Sequence, residues 1–308
     1  MKEIIVISGK GGTGKTTVTA ALAATGPAKV LADCDVDAAD LHLILKPDVL
    51  DTIDFYSGQL ASIDPLLCSQ CGSCADHCRF DAIRLIEDSV WEVRPEFCEG
   101  CGVCLHVCPS QAVGMSERKC GQWYISDTRH GSMVHAALGI GQENSGKLVT
   151  TVRRESAVLA RKKNVDVLLT DGPPGIGCPV IASMNNADLA VLVTEPSVSA
   201  LHDLERTIQL AAHFQLPAAC VLNKAGVHPQ TAEAIRTLCS SHGIPVLAEL
   251  PYTSDMTKAQ LSRQSITEFN PNRWNDVFES LWDAMLNLLD HPAPRHQPLI
   301  PAMNQIQG

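Results

Sequence analysis

Apolar and polar residues follow one another along this chain in blocks of two kinds. Short, nearly continuous apolar runs at residues 4–7, 28–32, 167–170, 189–194 and 219–222 read as strands buried on both faces. Residues 18–24, 199–214, 230–242 and 274–289 carry helical periodicity instead. Strands alternating with helices predict an α/β fold, a doubly wound and mainly parallel sheet whose ligands bind at the strands' carboxyl ends. The interval from Asp37 to Asp171 breaks this rhythm and is too long for one crossover. Within it, residues 124–152 are rich in Gly and Ser and give no assignable element. Residues 291–308 contain four prolines and little apolar periodicity, so a loosely held tail is expected there.

The first apolar run leads into Gly9-Lys10-Gly11-Gly12-Thr13-Gly14-Lys15-Thr16-Thr17, and a helical stretch follows. This order of strand, glycine-rich loop and helix is the context in which G-x4-G-K-T forms a phosphate loop. The glycines let backbone N–H groups turn toward phosphates, Lys15 reaches the β and γ phosphates, and the Thr16 hydroxyl can ligate Mg2+. The second apolar run ends at Asp33-Cys34-Asp35-Val36-Asp37, where carboxylates emerge at the sheet's carboxyl edge. One such aspartate is readily explained as a helix cap, three less so. Later runs end at Asp171-Gly172-Pro173-Pro174-Gly175 and at Asn223-Lys224.

Eight of the thirteen cysteines form two tandem runs, Cys68, Cys71, Cys74, Cys78 and Cys98, Cys101, Cys104, Cys108. Three thiolates two residues apart can wrap three corners of one cubane while a displaced fourth reaches elsewhere. Zinc sites usually close with four ligands in paired knuckles, a different arrangement. Disulfides fit poorly with a chain that begins MKEIIVIS, without a charged leader and cleavage site, and that has no apolar run of membrane-span length. A reducing cytoplasm is the expected location, with no membrane insertion.

At 308 residues and 45% hydrophobic, the chain can bury an ample core. Its net charge of −10 argues against a generally basic nucleic-acid-binding surface. Residues 61–115 hold eight carboxylates (Asp64, Asp76, Asp81, Glu87, Asp88, Glu92, Glu96, Glu99) against Arg79, Arg84 and Arg94, or −5. This half of the net charge reads either as a solvated surface or as a docking face for a basic redox partner.

The two cysteine runs resemble a bacterial two-cluster ferredoxin over residues 61–115, in which each run's fourth cysteine ligates the other run's cluster. That resemblance implies one [4Fe-4S] cluster on Cys68, Cys71, Cys74 and Cys108, and another on Cys98, Cys101, Cys104 and Cys78. Arg79 stands where the second run has Pro109, so an altered turn is expected there. The loop K-G-G-T-G-K-T, with Lys10 one residue after the first glycine, resembles the deviant phosphate loop of the MinD/ParA/Mrp ATPases, the superfamily of nitrogenase iron protein. This second resemblance covers residues 1–50 and 150–290. Together the two imply a P-loop ATPase domain in two parts, residues 1–60 and 116–290, interrupted by an inserted α+β ferredoxin-like domain at 61–115 and followed by the tail.

What the ATPase resemblance implies is residue-specific. Lys10 would reach a partner subunit's phosphates in a nucleotide-sandwich homodimer. Asp35 would orient the attacking water, with Lys15, Lys10 and Mg2+ neutralising charge. Asp171 would hold Mg2+ through water, and Gly175 would let the second switch move when the γ phosphate leaves. Asn223-Lys224 would read the base, and Gly226 in place of a guanine-selecting aspartate favours ATP over GTP. Cys178, seven residues after Asp171, is either a small buried residue or a ligand to a cluster bridging two subunits. Cys34, Cys220 and Cys239 read as structural. No C-x-x-C pair follows Cys108, unlike the Mrp-type carriers, and no basic amphipathic helix ends the chain, unlike the division-site ATPases. The function these features imply is an ATPase that passes electrons through two [4Fe-4S] clusters to a redox partner. The alternatives are an ATP-dependent assembly protein delivering clusters to an acceptor, and, least supported, a spatial organiser.

Overall fold

A computed structural model of the chain describes residues 1–86, 90–139 and 145–291. The expected tail beyond residue 291, and Glu87 and Asp88 of the acidic group, lie outside these described residues. Two compact units divide the chain, one of residues 1–52, 124–137 and from 145 onward, the other of residues 53–123 with Leu138 and Gly139.

The first unit opens with β1 (Lys2–Ser8), α1 (Lys15–Ala24), β2 (Lys29–Asp33) and α2 (Leu41–Leu45), then enters β3 (Asp48–Ile63), which continues into the second unit. The second unit holds α3 (Ser73–Asp76), β4 (Ile83–Ile86), β5 (Val90–Val93) and α4 (Val103–Val107), and the chain returns along β6 (Val113–Thr128). There follow β7 (Gly131–Leu138), α5 (Ser145–Lys162), β8 (Val167–Pro174), α6 (Cys178–Met184), β9 (Leu189–Thr194), α7 (Val198–His213) and β10 (Ala218–Asn223). The chain then adds α8 (Pro229–Ser241), β11 (Val246–Leu250), α9 (Ser254–Leu261), α10 (Ile266–Phe269) and α11 (Pro271–Asp290). Unit boundaries fall inside β3 and β6, because these strands run on without a break past residues 61 and 115, where the ferredoxin resemblance placed the edges of the insertion.

The large sheet has the strand order β11-β10-β9-β1-β8-β2-β7-β6-β3. Neighbours from β11 to β7 are parallel. Arg129 and His130 alone join β6 to β7, a connection only antiparallel neighbours permit. Central β1 is buried on both faces. Ile4 and Val6 pack with α1 and α11, while Ile5 and Ile7 pack with α6, α7 and α8. That is why its sequence reads as a continuous apolar run rather than an alternation. Residues 124–152, unassigned from sequence, prove to be the end of β6, then β7 and the start of α5 among the described residues. Ser132 and His135 sit inside β7, and these buried polar residues disguise it.

His135 is 7% exposed, stacks on Tyr124 at 4.9 Å and on His42 at 6.1 Å, and shares a 2.9 Å hydrogen bond between its Nε2 and Ser126 Oγ. Burial, with His42 beside it, pushes its pKa down from 6.5 to about 4. The unfolded chain therefore binds this proton more tightly than the folded one. Stability from this site is complete above pH 6.5 and is lost as the pH falls through about 4. The contribution is about 3 kcal/mol, since each tenfold change in proton affinity is worth about 1.4 kcal/mol. Thermal melts should drop between pH 7 and pH 4.5, and less steeply in His135→Gln; parallel pH profiles in both proteins would contradict the assignment.

In the second unit β4 and β5 pair antiparallel, Ile83 opposite Val93. Its small core consists of Ala61, Cys74, Ala82, Ile83, Cys98 and Val113, with Cys78, Cys104, Cys108 and Trp91 packed against it. Five of the eight run cysteines thus line this unit's interior.

Candidate functional site

The loop between β1 and α1 sits at the carboxyl end of the sheet, where the strand order turns from β1 outward in both directions. Gly14 takes φ +93, and a Cβ there would stand 2.2 Å from Asn223 Nδ2. Gly9 has no room either, since its Cβ would meet the Asp203 backbone at 2.6 Å. Gly14→Ala should therefore displace Asn223, strain the loop and lower nucleotide affinity about tenfold, the effect of roughly 1–2 kcal/mol. Calorimetric titration with ADP checks this, and an unchanged affinity would contradict it.

Lys15, 5% exposed, donates to Asp171 Oδ1 at 3.0 Å and lies 3.5 Å from Asp35 Oδ2. Burial works against its charge, but Asp171, Asp35 and Asp33 outweigh burial and hold the ammonium above its ordinary range. Thr16 Oγ1 donates to Asp171 Oδ2 at 2.9 Å, and Thr19 Oγ1 donates to Asp171 Oδ1 at 2.8 Å. Thr16 and Asp171 thus share one place at the loop's mouth, the pair from which a magnesium ion could be held. Asp33 is fully buried, and burial together with Asp171 pushes its carboxyl well above the usual range. Asp35 is raised by burial too, although Lys15 opposes the shift. A bound divalent cation would reverse that tendency and favour the ionised carboxylate. Gly175 at φ +89 has open space around it and donates its N–H to Ser8 O at 2.8 Å.

Lys10 lies on its own chain's surface, paired with Glu195 at 2.7 Å and donating to Ser197 and Ser199 at 3.0 and 3.1 Å. Glu195 also pairs with Lys224 at 2.6 Å, and Lys224 donates to Gly12 O at 3.0 Å. Asn223 donates through Nδ2 to Thr13 O at 2.8 Å, so its amide braces the loop. Thr19 and Glu195 were missed in the sequence. Thr19 reads as one more residue of a buried helix. Glu195 directly follows a strand and could have been found by the carboxyl-end rule.

The two cysteine runs repeat the same backbone, thirty positions apart. Gln70 and Gly100 have φ of 60 and 63, Gly72 and Gly102 have 75 and 76, and Asp81 and Gln111 have 50 and 53. Left-handed Gln and Asp cost roughly 1 kcal/mol each, so such agreement is not a default of the chain. Gly100 is also forced by space, since a Cβ would stand 2.3 Å from Gln59 O. Arg79 in place of proline changes nothing in the turn: Asp81 N reaches Cys78 O at 3.4 Å, and Gln111 N reaches Cys108 O at 3.3 Å. The expected altered turn is therefore absent, because residues three beyond each final cysteine close the same loop.

The thiols group across the runs. Burial pushes Cys74 up, with Cys68 and Cys108 adding to the push. Burial likewise raises Cys104, and its thiol neighbours are Cys98 and Cys101. Cys78, Cys98, Cys101 and Cys104 together line one pocket with Phe80, Ile83 and Val93. Cys71 and Cys101 are exposed. Among the described residues no group of three or more His, Cys, Asp or Glu is arranged to hold a single metal ion.

The sequence profile of the CobQ/CobB/MinD/ParA nucleotide binding domain matches residues 4–266. The chain belongs to this family. An uncharacterized protein of Methanocaldococcus jannaschii, MJ0578, is 32% identical to it over 230 residues, 73% of this chain and 79% of that protein. The Drosophila sechellia protein named cytosolic Fe-S cluster assembly factor Nubp1 homolog is 29% identical over 126 residues, 34% of this chain and 40% of its own length. MinD of Pyrococcus horikoshii OT3, solved with Mg-ADP, shares the fold with TM-score 0.56 at 20% identity, over 93% of this chain and 96% of that one.

In this MinD/ParA-type P-loop ATPase, Lys15 and Thr16 of the loop both donate to Asp171 of β8. Cys178, the first residue of α6, is exposed, so the buried reading of that residue is corrected: the helix starts at the surface and turns Val180 inward instead. Cys34, Cys220 and Cys239 are buried. No helix among the described residues is long and apolar enough to cross a membrane.

Proposed function

We propose that this MinD/ParA-type ATPase couples ATP binding and hydrolysis to electron transfer through two [4Fe-4S] clusters held by its second unit. The observation that carries the reading is the repeated left-handed backbone of the two cysteine runs, with Cys78 of the first run lining one pocket with Cys98, Cys101 and Cys104 of the second. A single ion draws its donors to a point at about 2.3 Å, whereas a four-iron cluster spreads four thiolates around a larger body. Cys68, Cys71, Cys74 and Cys108 would hold one cluster, and Cys98, Cys101, Cys104 and Cys78 the other. The clusters supply one-electron chemistry when bound.

In the nucleotide site, Gly9 to Thr17 would cradle the phosphates of ATP, Lys15 would neutralise them, and Thr16 with Asp171 would hold Mg2+. Asp35 would orient the attacking water and Asn223 would face the base. Lys10 would leave Glu195 and reach the phosphates of a second copy of the chain, making the homodimer depend on nucleotide. Gly175 would release the switch on hydrolysis. Cys178, exposed after that switch, is open to a partner copy and remains the candidate for a subunit-bridging ligand.

Similarity to the Nubp1 homologue favours a second reading, ATP-dependent assembly or delivery of clusters to an acceptor protein. Anaerobically reconstituted protein separates the two. Iron retained at about eight per chain through many ATP turnovers supports electron transfer, and ATP-dependent loss of that iron to an apo-acceptor would replace it with delivery.

A further inference from the structure

The two cysteine runs share a backbone but not an electrostatic setting. Arg118 on β6 donates through Nη1 to Cys98 O at 2.8 Å and through Nη2 to Pro95 O at 2.9 Å. Both carbonyls belong to the segment that opens the second run, so the guanidinium is fixed at the back of a cysteine that lines the second thiol pocket. Neither bond neutralises it, and among the described residues no carboxylate pairs with it. Thirty positions before Arg94, which donates to Asp81 O, the first run has Asp64, whose carboxylate accepts from Leu66 N at 2.9 Å. A cation thus precedes one run where an anion precedes the other. Glu96 and Glu99 also flank the second run, but both are exposed to water and screened by it.

We propose that Arg118 is a positioning residue that raises the reduction potential of the cluster on Cys98, Cys101, Cys104 and Cys78 above that of the cluster on Cys68, Cys71, Cys74 and Cys108. The inference rests on the two-cluster reading above. Reduction adds one negative charge to a cluster, and a fixed, unpaired guanidinium beside a ligand's own carbonyl stabilises that charge in a partly desolvated setting. Hydrogen bonding to the Cys98 carbonyl also fixes the ligand's orientation. One electron then passes from the first cluster, which is oxidised, to the second, which is reduced, and no proton need move. A one-electron reductant supplies that electron to the first cluster, dithionite in the test.

The test is a redox titration of the full, cluster-loaded chain, followed by electron paramagnetic resonance, in the native protein and in Arg118→Met, Arg118→Gln and Arg118→Lys. Proteins with Cys71 or Cys101 replaced by serine assign each signal to its cluster. The Met and Gln changes should shift only the second cluster to lower potential, by about tenfold in its equilibrium with the first, or 59 mV for one electron. Lysine, which keeps the charge, should restore part of the shift, a result that a merely structural role would not give. Eight irons per chain with both potentials unmoved, or both moved together, would overturn the inference alone. Protein that takes up no iron in any form would instead overturn the reading on which it rests.

Discussion

Replacing Lys15 with alanine should lower ATP hydrolysis by two to three orders of magnitude while leaving iron uptake unchanged. The magnitude follows from removing one fixed positive charge from the place where phosphate charge develops, roughly 10²–10³ in rate. The structure adds a second consequence. Lys15 is the cation that faces Asp171, Asp35 and the fully buried Asp33. Taking one partner out of a buried charge group costs about 3 kcal/mol, because the carboxylates left behind have neither water nor a counter-charge. Those carboxylates can relieve the cost by binding protons, so the variant should be closer to native stability at pH 5 than at pH 8. Hydrolysis assays and melts at the two pH values check both halves. A Lys15→Ala protein with full activity would remove the site from the β1–α1 loop.

Cys71→Ser should remove one cluster and spare the other, taking iron from about eight to about four per chain. Cys71 is the informative choice because its side chain is exposed, so serine leaves no cavity in the core built from Cys74 and Cys98. Cys101→Ser is the matching change in the second run, also at an exposed position. Each should bleach one cluster's absorption, and the double variant should bind almost no iron yet still bind ATP. Iron analysis with visible spectra checks this. Loss of all iron from either single variant would mean that the runs fold around their clusters only as a pair, and undiminished iron would remove these cysteines from the ligand set.

Much of this was legible in the sequence for identifiable reasons. The strands β1, β8, β9 and β10 are covered on both faces, so their apolar runs are unbroken and easily read. β7 was hidden because Ser132 and His135 are buried inside it, each satisfied by a hydrogen bond that periodicity cannot express. The phosphate loop was legible because glycine is demanded by conformation at Gly14 and by space at Gly9. Thr19 was not, since its role depends on a strand far away in sequence that brings Asp171 beside it, whereas Glu195 stands at a strand's carboxyl end and was open to the same rule as Asp171. Spacing displayed the cysteine runs, but the left-handed Gln70, Asp81 and Gln111 that repeat between them carry no signature of their own. Arg118, too, acts on a carbonyl twenty residues away and cannot be seen from its neighbours in sequence.

Coupling between nucleotide and clusters is the central claim, and it is reciprocal: if a nucleotide changes a cluster's potential, reduction must change the nucleotide's affinity by the same factor. The most direct measurement is the potential of each cluster in the loaded protein, with and without a non-hydrolysable ATP analogue and Mg2+. Coupling predicts a shift on adding the analogue, about 59 mV for each tenfold change in its affinity between the oxidised and reduced forms. Potentials that stay the same for both clusters at saturating analogue would contradict it.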